Sequence, residues 1–338
     1  MTGDARWDEM LDEFRALDGI ADNVKLAEGR FGRGLFPIDK SKPIRICIPE
    51  SLLLPKKYVQ FSSSEFRVAP EAPVAARERA FLENYERDFS WGTGRGDTED
   101  LLAMLAEAPP ELRAMLENVF GLGQWFAGLA PAAVQERFLG SRTIGFKGET
   151  RVMPIIELAN HGHATSYQLY DDRLELGGHF EDEVLVRYSD SDPLGIFGAW
   201  GFASGAEVFA LSMPLGLERK SGSLRINRDL EKARNAQLGP PRWPELSMEN
   251  GRLGLSHVLL GHKHYPRFAR GMFYKLMRQA GVQDAEETFD LIQHLNRMQF
   301  YGLIEASEAA APRLGMLLRN LARHQLECMS HSVGTRDL

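Results

Sequence analysis

The chain has 338 residues, 43% of them hydrophobic and 26% charged. That balance is ordinary for a globular protein with room for a sizeable core, and the length suggests two domains. A net charge of −7 removes the global electrostatic case for a nucleic-acid partner, so none is expected.

Cys47 and Cys328 lie far apart and form no C-x-x-C, so no disulfide framework or cysteine zinc site is implied. A reducing, cytoplasmic setting is the expectation. The opening MTGDARWDEMLDEF is acidic and amphipathic, unlike the apolar core of a secretory signal. Trp7, Met10, Leu11, Phe14 and Leu17 recur at helical spacing and predict a helix over 5–18.

Gly29, Gly32 and Gly34 cluster ahead of a β-rich run, Pro43–Pro49. Their spacing does not fit G-x-G-x-x-G, and no helix opens after them, which argues against a dinucleotide cradle. Glycine here permits close backbone approach to a ligand. Residues 72–138 read as helical, rich in Leu, Met and Ala with few β-branched residues. Gly92-Thr93-Gly94-Arg95-Gly96 is expected to break that run as a loop.

An apolar run, Met153 to Ile156, leads into Glu157 and then Asn160-His161. Asn favours places where the chain leaves regular structure, and its amide both donates and accepts. His161-Gly162-His163 and His262-Lys263-His264 lack the further ligands a zinc site needs, so no metal is expected. Val184 and Val186 alternate with Leu185 and Arg187 as in a strand, which Tyr188 ends.

Pro193–Leu217 reads as strand, turn and strand rather than a membrane span, with Glu207–Leu217 its second strand. Asn227–Leu238 is expected to be helical, as is most of Leu253–Val333. Arg267, Arg270, Lys275 and Arg278 form a basic stripe that reads as a solvated helix face.

In order, Gly32-Arg33-Gly34-Leu35, Ser141-Arg142, Asn160-His161, Tyr188 and Gly201-Phe202 resemble the motifs of SET-domain protein methyltransferases. The branch that includes the Rubisco large-subunit lysine methyltransferases is the nearest in pattern. The resemblance covers roughly residues 24–215. It implies an α+β fold: a β-rich SET domain of small, pseudoknotted sheets over 23–217, with a helical insertion at about 72–138. An N-terminal helix (1–22) precedes it, and a mostly α-helical substrate-binding domain (218–338) follows.

It further implies transfer of a methyl group from S-adenosylmethionine to a lysine of a protein substrate. Tyr188 matches the catalytic tyrosine. Phe31, Arg33, Arg142, Glu157, Asn160, His161, Tyr188 and Phe202 match cofactor-binding positions. Tyr167 and Trp200 match substrate-binding positions, Tyr167 fitting better than Tyr170. Glu157 stands where Asp is usual, Asn-His-Gly where Asn-His-Ser is commoner, and Trp200 where Tyr is usual. Those departures keep two alternatives open: a histidine or small-amine acceptor, or a non-catalytic binding module on the same fold. The substrate, the number of methyls and the oligomeric state have no sequence signal.

Overall fold

The computed structural model describes residues 3–62, 65–126, 128–219, 222–234, 240–249 and 252–332. The fold is α+β, with short strands in several small sheets, a helical insertion and a helical C-terminal region. The chain divides into two compact units. One comprises Met1–Asp100 with Leu129–Tyr188, the other Leu101–Gly128 with Ser189–Leu338.

The first unit opens with α1 (Gly3–Arg15), whose Trp7, Met10, Leu11 and Phe14 are buried. Strands β1 (Ile20–Asp22), β2 (Val24–Gly29), β3 (Gly32–Pro37) and β4 (Ile44–Pro49) follow, and then the β5–β6 hairpin (Val59–Ser62, Glu65–Val68). The hairpin leads to α2 (Ala76–Phe89) and α3 (Trp91–Ala106), the latter crossing the boundary between units. α4 (Pro110–Asn118) belongs to the second unit. The chain returns to the first with α5 (Pro131–Gly140), β7 (Thr143–Phe146) and β8 (Glu149–Val152).

Strands β9 (Asn160–Thr165), β10 (Gln168–Leu169), β11 (Arg173–Gly178) and β12 (Leu185–Val186) complete the unit. β4 is central in an antiparallel sheet ordered β1-β4-β11-β10. Its Ile44, Ile46 and Ile48 are buried, as period-2 alternation of β-branched residues allows. β9 and β12 pair in parallel. Along α2, Phe81, Tyr85 and Phe89 recur every four residues and extend from Phe14 as a ladder, with centroids 5.8, 6.2 and 6.3 Å apart.

In the second unit come α6 (Pro193–Trp200), β13 (Phe209–Leu211), β14 (Leu215–Arg219), β15 (Gly222–Ile226) and α7 (Leu230–Ala233). β16 (Leu246–Glu249), β17 (Arg252–Leu255) and β18 (Leu259–His262) follow. The sheet order is β14-β15-β17-β16, with only β15 and β17 parallel, and β13 pairs separately with β18. The long helices are α8 (Phe268–Gln279), α9 (Ala285–Ala306) and α10 (Pro312–Ser330). α9 buries Phe289, Ile292, Asn296, Phe300 and Leu303, a helical stripe. Among the described residues, no helix is long and apolar enough to cross a membrane.

Five local expectations need correction. Gly92–Gly96 is not a loop but the first turns of α3. Each glycine costs a helix about 1 kcal/mol. Here Gly92 is what lets α3 start one residue after α2, and Gly94 leaves room for Arg142, while Gly96 has open space around it. A Cβ on Gly92 would lie 2.0 Å from the Arg87 carbonyl oxygen, and one on Gly94 3.1 Å from Arg142 Nη2.

Pro193–Trp200 is helix, not strand. Asp192 caps it by accepting from the Gly195 N–H at 3.0 Å, Pro193 takes the first turn, and Gly201 ends it at φ +78°. Glu207–Leu217 is two strands split at Ser212–Pro214 rather than one. Residues 253–262, read as the start of a helical region, are strands β17 and β18, and the helices begin at Phe268. Of Asn227–Leu238, only Leu230–Ala233 is described as helix, and 235–239 lie outside the described residues, as does Val333.

The basic stripe of α8 is partly engaged. Arg270 pairs with Asp290 at 2.6 Å, and Lys275 lies over the Trp243 ring.

Candidate functional site

A buried polar cluster in the first unit gathers most of the residues that the sequence singled out. Its base is a tight turn before Glu157. Ile155 has φ +66° and ψ −58°, and the Ile156 N–H donates to the Pro154 carbonyl at 2.7 Å. That is a γ-turn of the rarer, strained hand, and a fully buried β-branched residue is an unusual occupant. Such strain persists only where the surroundings over-determine it, and it clusters at functional sites.

The turn aims Glu157 inward, its side chain wholly buried. Tyr85 on α2 donates to Glu157 Oε1 at 2.8 Å, and Arg142 Nε lies 3.3 Å from Oε2. Burial pushes the Glu157 carboxyl above the usual range, while Arg142 pulls it back. Arg142 follows α5 and stacks on Phe138, with its guanidinium carbon 3.7 Å from the ring centroid. Glu86, one residue after Tyr85, is 1% exposed and accepts from the Trp91 N–H at 3.3 Å. Burial and then the nearby Glu157 charge push its carboxyl up to about 8.

From Ala159 the chain enters β9. The Tyr188 hydroxyl donates to the Ala159 carbonyl at 2.8 Å, and the Tyr188 N–H donates to His161 Nδ1 at 3.3 Å. The two rings lie 5.1 Å apart. The parallel pairing of β12 with β9 brings Tyr188 beside the Asn-His pair. Burial, opposed by Arg142, raises the Tyr188 phenol above its ordinary value, so it stays a donor.

The Tyr167 hydroxyl is buried with no hydrogen-bond partner among the described residues. Burial, and after it the neighbouring Tyr188 and Glu157, raise its phenol well above the ordinary value. Tyr170 is instead at the surface, with its hydroxyl on Gln168 at 2.7 Å and Arg173 over its ring.

Asn160 reaches the β2–β3 hairpin. Its Nδ2 donates to the Arg33 carbonyl at 3.3 Å and to Glu183 Oε1 at 2.5 Å. Gly34 makes this contact possible, since a Cβ there would lie 2.5 Å from Glu183 Oε1 and 2.7 Å from Asn160 Nδ2. Gly34→Ala is therefore expected to cost about 1–3 kcal/mol of stability by overpacking, read by urea melts, and to displace Asn160. Gly32→Ala meets no atom within 4 Å, and its cost comes from φ +90° alone.

The Arg33 guanidinium points away from Asn160. It donates to the Phe89 carbonyl and to Thr93 Oγ1, both at 2.6 Å. It lines a cleft of about 300 Å³ with Arg6, Trp7, Glu28 and Asp88. Phe31, at the hairpin tip, is 52% exposed, with Arg30 lying 5.3 Å from its ring centroid. The two remaining candidates belong to the second unit. Trp200 is the last residue of α6, and Phe202 follows Gly201, against which Leu101 and Trp125 pack closely.

Tyr85, Glu86 and Glu183 also belong to the site, and no sequence motif singles them out. Tyr85 sits at the i+4 spacing of a core aromatic, and Glu86 has no motif around it. Glu183 lay within the acidic turn before Val184, which was the available signal. The His163 side chain lies outside what is described, and among the described residues no group of His, Cys, Asp or Glu is placed to hold a metal.

No protein-family model matches the chain, and no curated protein matches it. Among solved structures, it is similar to one described as the SET domain of LSMT bound to lysine and AdoHcy. The TM-score is 0.39 at 12% identity, over 96% of this chain and 89% of that one. A likeness at that level has no bearing on the site, which stands on its own geometry.

Proposed function

We propose that the protein is an S-adenosylmethionine-dependent methyltransferase of the SET type, with a protein lysine as acceptor. The observation that carries this reading is the Tyr188 hydroxyl on the Ala159 carbonyl at 2.8 Å, with the Tyr167 hydroxyl, which has no partner among the described residues, buried nearby. Two phenols and a carbonyl flanking Asn160-His161 make a polar constriction suited to aligning a nucleophile. Methyl transfer requires such positioning more than acid–base power.

The donor set fits the cofactor. Arg142 offers a cation to a carboxylate, the Asn160 amide and the hairpin carbonyls offer acceptors to an ammonium, and the exposed Phe31 ring offers a face to a base. When bound, the cofactor supplies a methyl group on a sulfonium, which leaves as a thioether when the acceptor nitrogen takes the carbon. The acceptor must be neutral, and a lysine amine has an ordinary pKa of about 10.4. Burial of the Tyr167 and Tyr188 hydroxyls supports desolvation at that point, which disfavours the ammonium. The Tyr167 hydroxyl, without a partner among the described residues, can accept the amine's hydrogen bond.

Tyr167→Phe separates this role from a structural one. Removing a buried, unpaired hydroxyl is expected to raise stability by about 1 kcal/mol while lowering turnover. Incubation of wild type and variant with methyl-labelled S-adenosylmethionine and cell lysate, beside thermal melts, reads both. No labelled acceptor with either protein would count against the enzyme. A rate that levels off near pH 6.5 instead of rising above neutrality would replace lysine with histidine.

A further inference from the structure

We propose that Glu86 is a positioning residue that holds a proton against the Glu157 carboxylate and so keeps Glu157 and Arg142 arranged for cofactor binding. The inference rests on the methyltransferase reading for its ligand and on the geometry of the cluster for its proton.

Glu86 is 1% exposed and the Glu157 side chain is wholly buried. Glu157 Oε1 accepts from Tyr85 at 2.8 Å, and Oε2, which has no hydrogen bond among the described residues, is ion-paired with Arg142 at 3.3 Å, so the cation of the cluster sits on Glu157. Among the described residues no ion pair reaches Glu86, which accepts the Trp91 N–H. Two ionised carboxylates over one guanidinium would leave a net negative charge out of water, a costly state that one proton removes. The groups facing the pair are Tyr85 on the same helix, the buried Ser90 hydroxyl beside both carboxyls, Arg142 after α5, Arg33 on β3, and Tyr167 and Tyr188 beyond Glu157.

The proton acts on the site through Glu157, which follows the strained turn at Ile155 and lies two residues before the Ala159 carbonyl that Tyr188 holds. Ionising Glu86 sets a second negative charge against Glu157 and draws on Arg142, the cation offered to the cofactor. Linkage gives the sign. The unfolded carboxyl titrates near 4.5 and the folded one near 8, so between them the unfolded chain has released a proton that the folded one keeps. Stability therefore falls as pH rises through that window.

Three measurements test this on the full chain. Wild type at pH 7 should show the infrared C=O band of a protonated carboxyl, lost as pH rises through about 8 and absent from Glu86→Gln. Wild-type Tm should fall by about 3 °C or more between pH 5.5 and 8, relative to Glu86→Gln. Wild-type affinity for S-adenosylmethionine should drop about fivefold or more from pH 7 to 9, while Glu86→Gln keeps its pH 7 value.

Absence of the band in wild type overturns the proposal even if the variant does not fold. So does the same pH profile of affinity in both proteins. If the band titrates but neither protein binds S-adenosylmethionine at any pH, the functional reading fails. The cofactor role of Glu86 fails with it, and the proton is then purely structural.

Discussion

Replacing Tyr188 with phenylalanine is expected to cut methyl transfer about 100-fold, with cofactor affinity kept within about threefold. The hydroxyl is fixed at 2.8 Å on the Ala159 carbonyl, and the backbone of the same residue is tied to His161 Nδ1. The ring therefore stays in place when the oxygen is removed. On the proposed methyltransferase reading, what is lost is a donor that orients the Ala159 carbonyl beside the acceptor, and a small misplacement there is enough for a loss of that size. The Ala159 carbonyl, left without this donor, costs about 1 kcal/mol of stability, so the fold survives. Burial, against the pull of Arg142, holds the phenol protonated above its usual range. The wild-type rate should accordingly show no downturn from phenol ionisation below pH 10. Single-turnover rates and calorimetry on both proteins decide the matter. A loss of under about fivefold with intact binding would remove Tyr188 from the reacting centre.

Tyr188 also shows what can be read from residues alone. The alternation of Val184 and Val186 with Leu185 and Arg187 predicts a strand ended by Tyr188; only Leu185–Val186 is strand, two residues short of Tyr188, although both valines are buried. Helices α1, α9 and α10 are equally legible, because long amphipathic spacing survives without tertiary context. The sequence motifs likewise pointed to Arg142, Glu157, Asn160, His161, Tyr167 and Tyr188, which the fold gathers in one cluster.

Less legible is whatever depends on a neighbour distant in sequence. Tyr85 and Glu86 belong to the cluster only because α2 packs across Glu157, 72 residues on from Tyr85. The glycines of α3 look like a loop until the approach of Arg87 and Arg142 is known. The start of α6 is a different case. Asp192, Pro193 and Gly201 are a cap, a first-turn proline and a stop, and they outweigh the apolar run between them.

Asp192 is also where the largest loss of stability is expected. Asp192→Asn should cost about 3–5 kcal/mol, read as a lower urea midpoint. The carboxylate is wholly buried and serves four partners. The Gly195 and Leu211 N–H groups donate at 3.0 Å each, Gln325 Nε2 at 2.8 Å, and Arg228 through both Nη atoms at 3.1 and 2.5 Å. These tie α6, β13, α10 and the segment after β15 to one side chain. Asparagine keeps the helix cap but strands the Arg228 guanidinium, itself only 10% exposed, without its counter-charge.

The pair should show coupling. Arg228→Met alone is expected to cost a similar amount, and the double variant clearly less than the sum, because neither charge is then left alone. The pH dependence has a definite sign. Burial resists ionisation of Asp192, but Arg228 and the other donors outweigh it and hold the carboxyl below 3.8. Its stabilisation is thus present above that value and lost as pH falls through the folded pKa. The gap between wild type and Asp192→Asn should be full at pH 7 and narrow below about pH 4. A gap that stayed constant into acid would mean that the cap and packing, not the charge, hold these elements together.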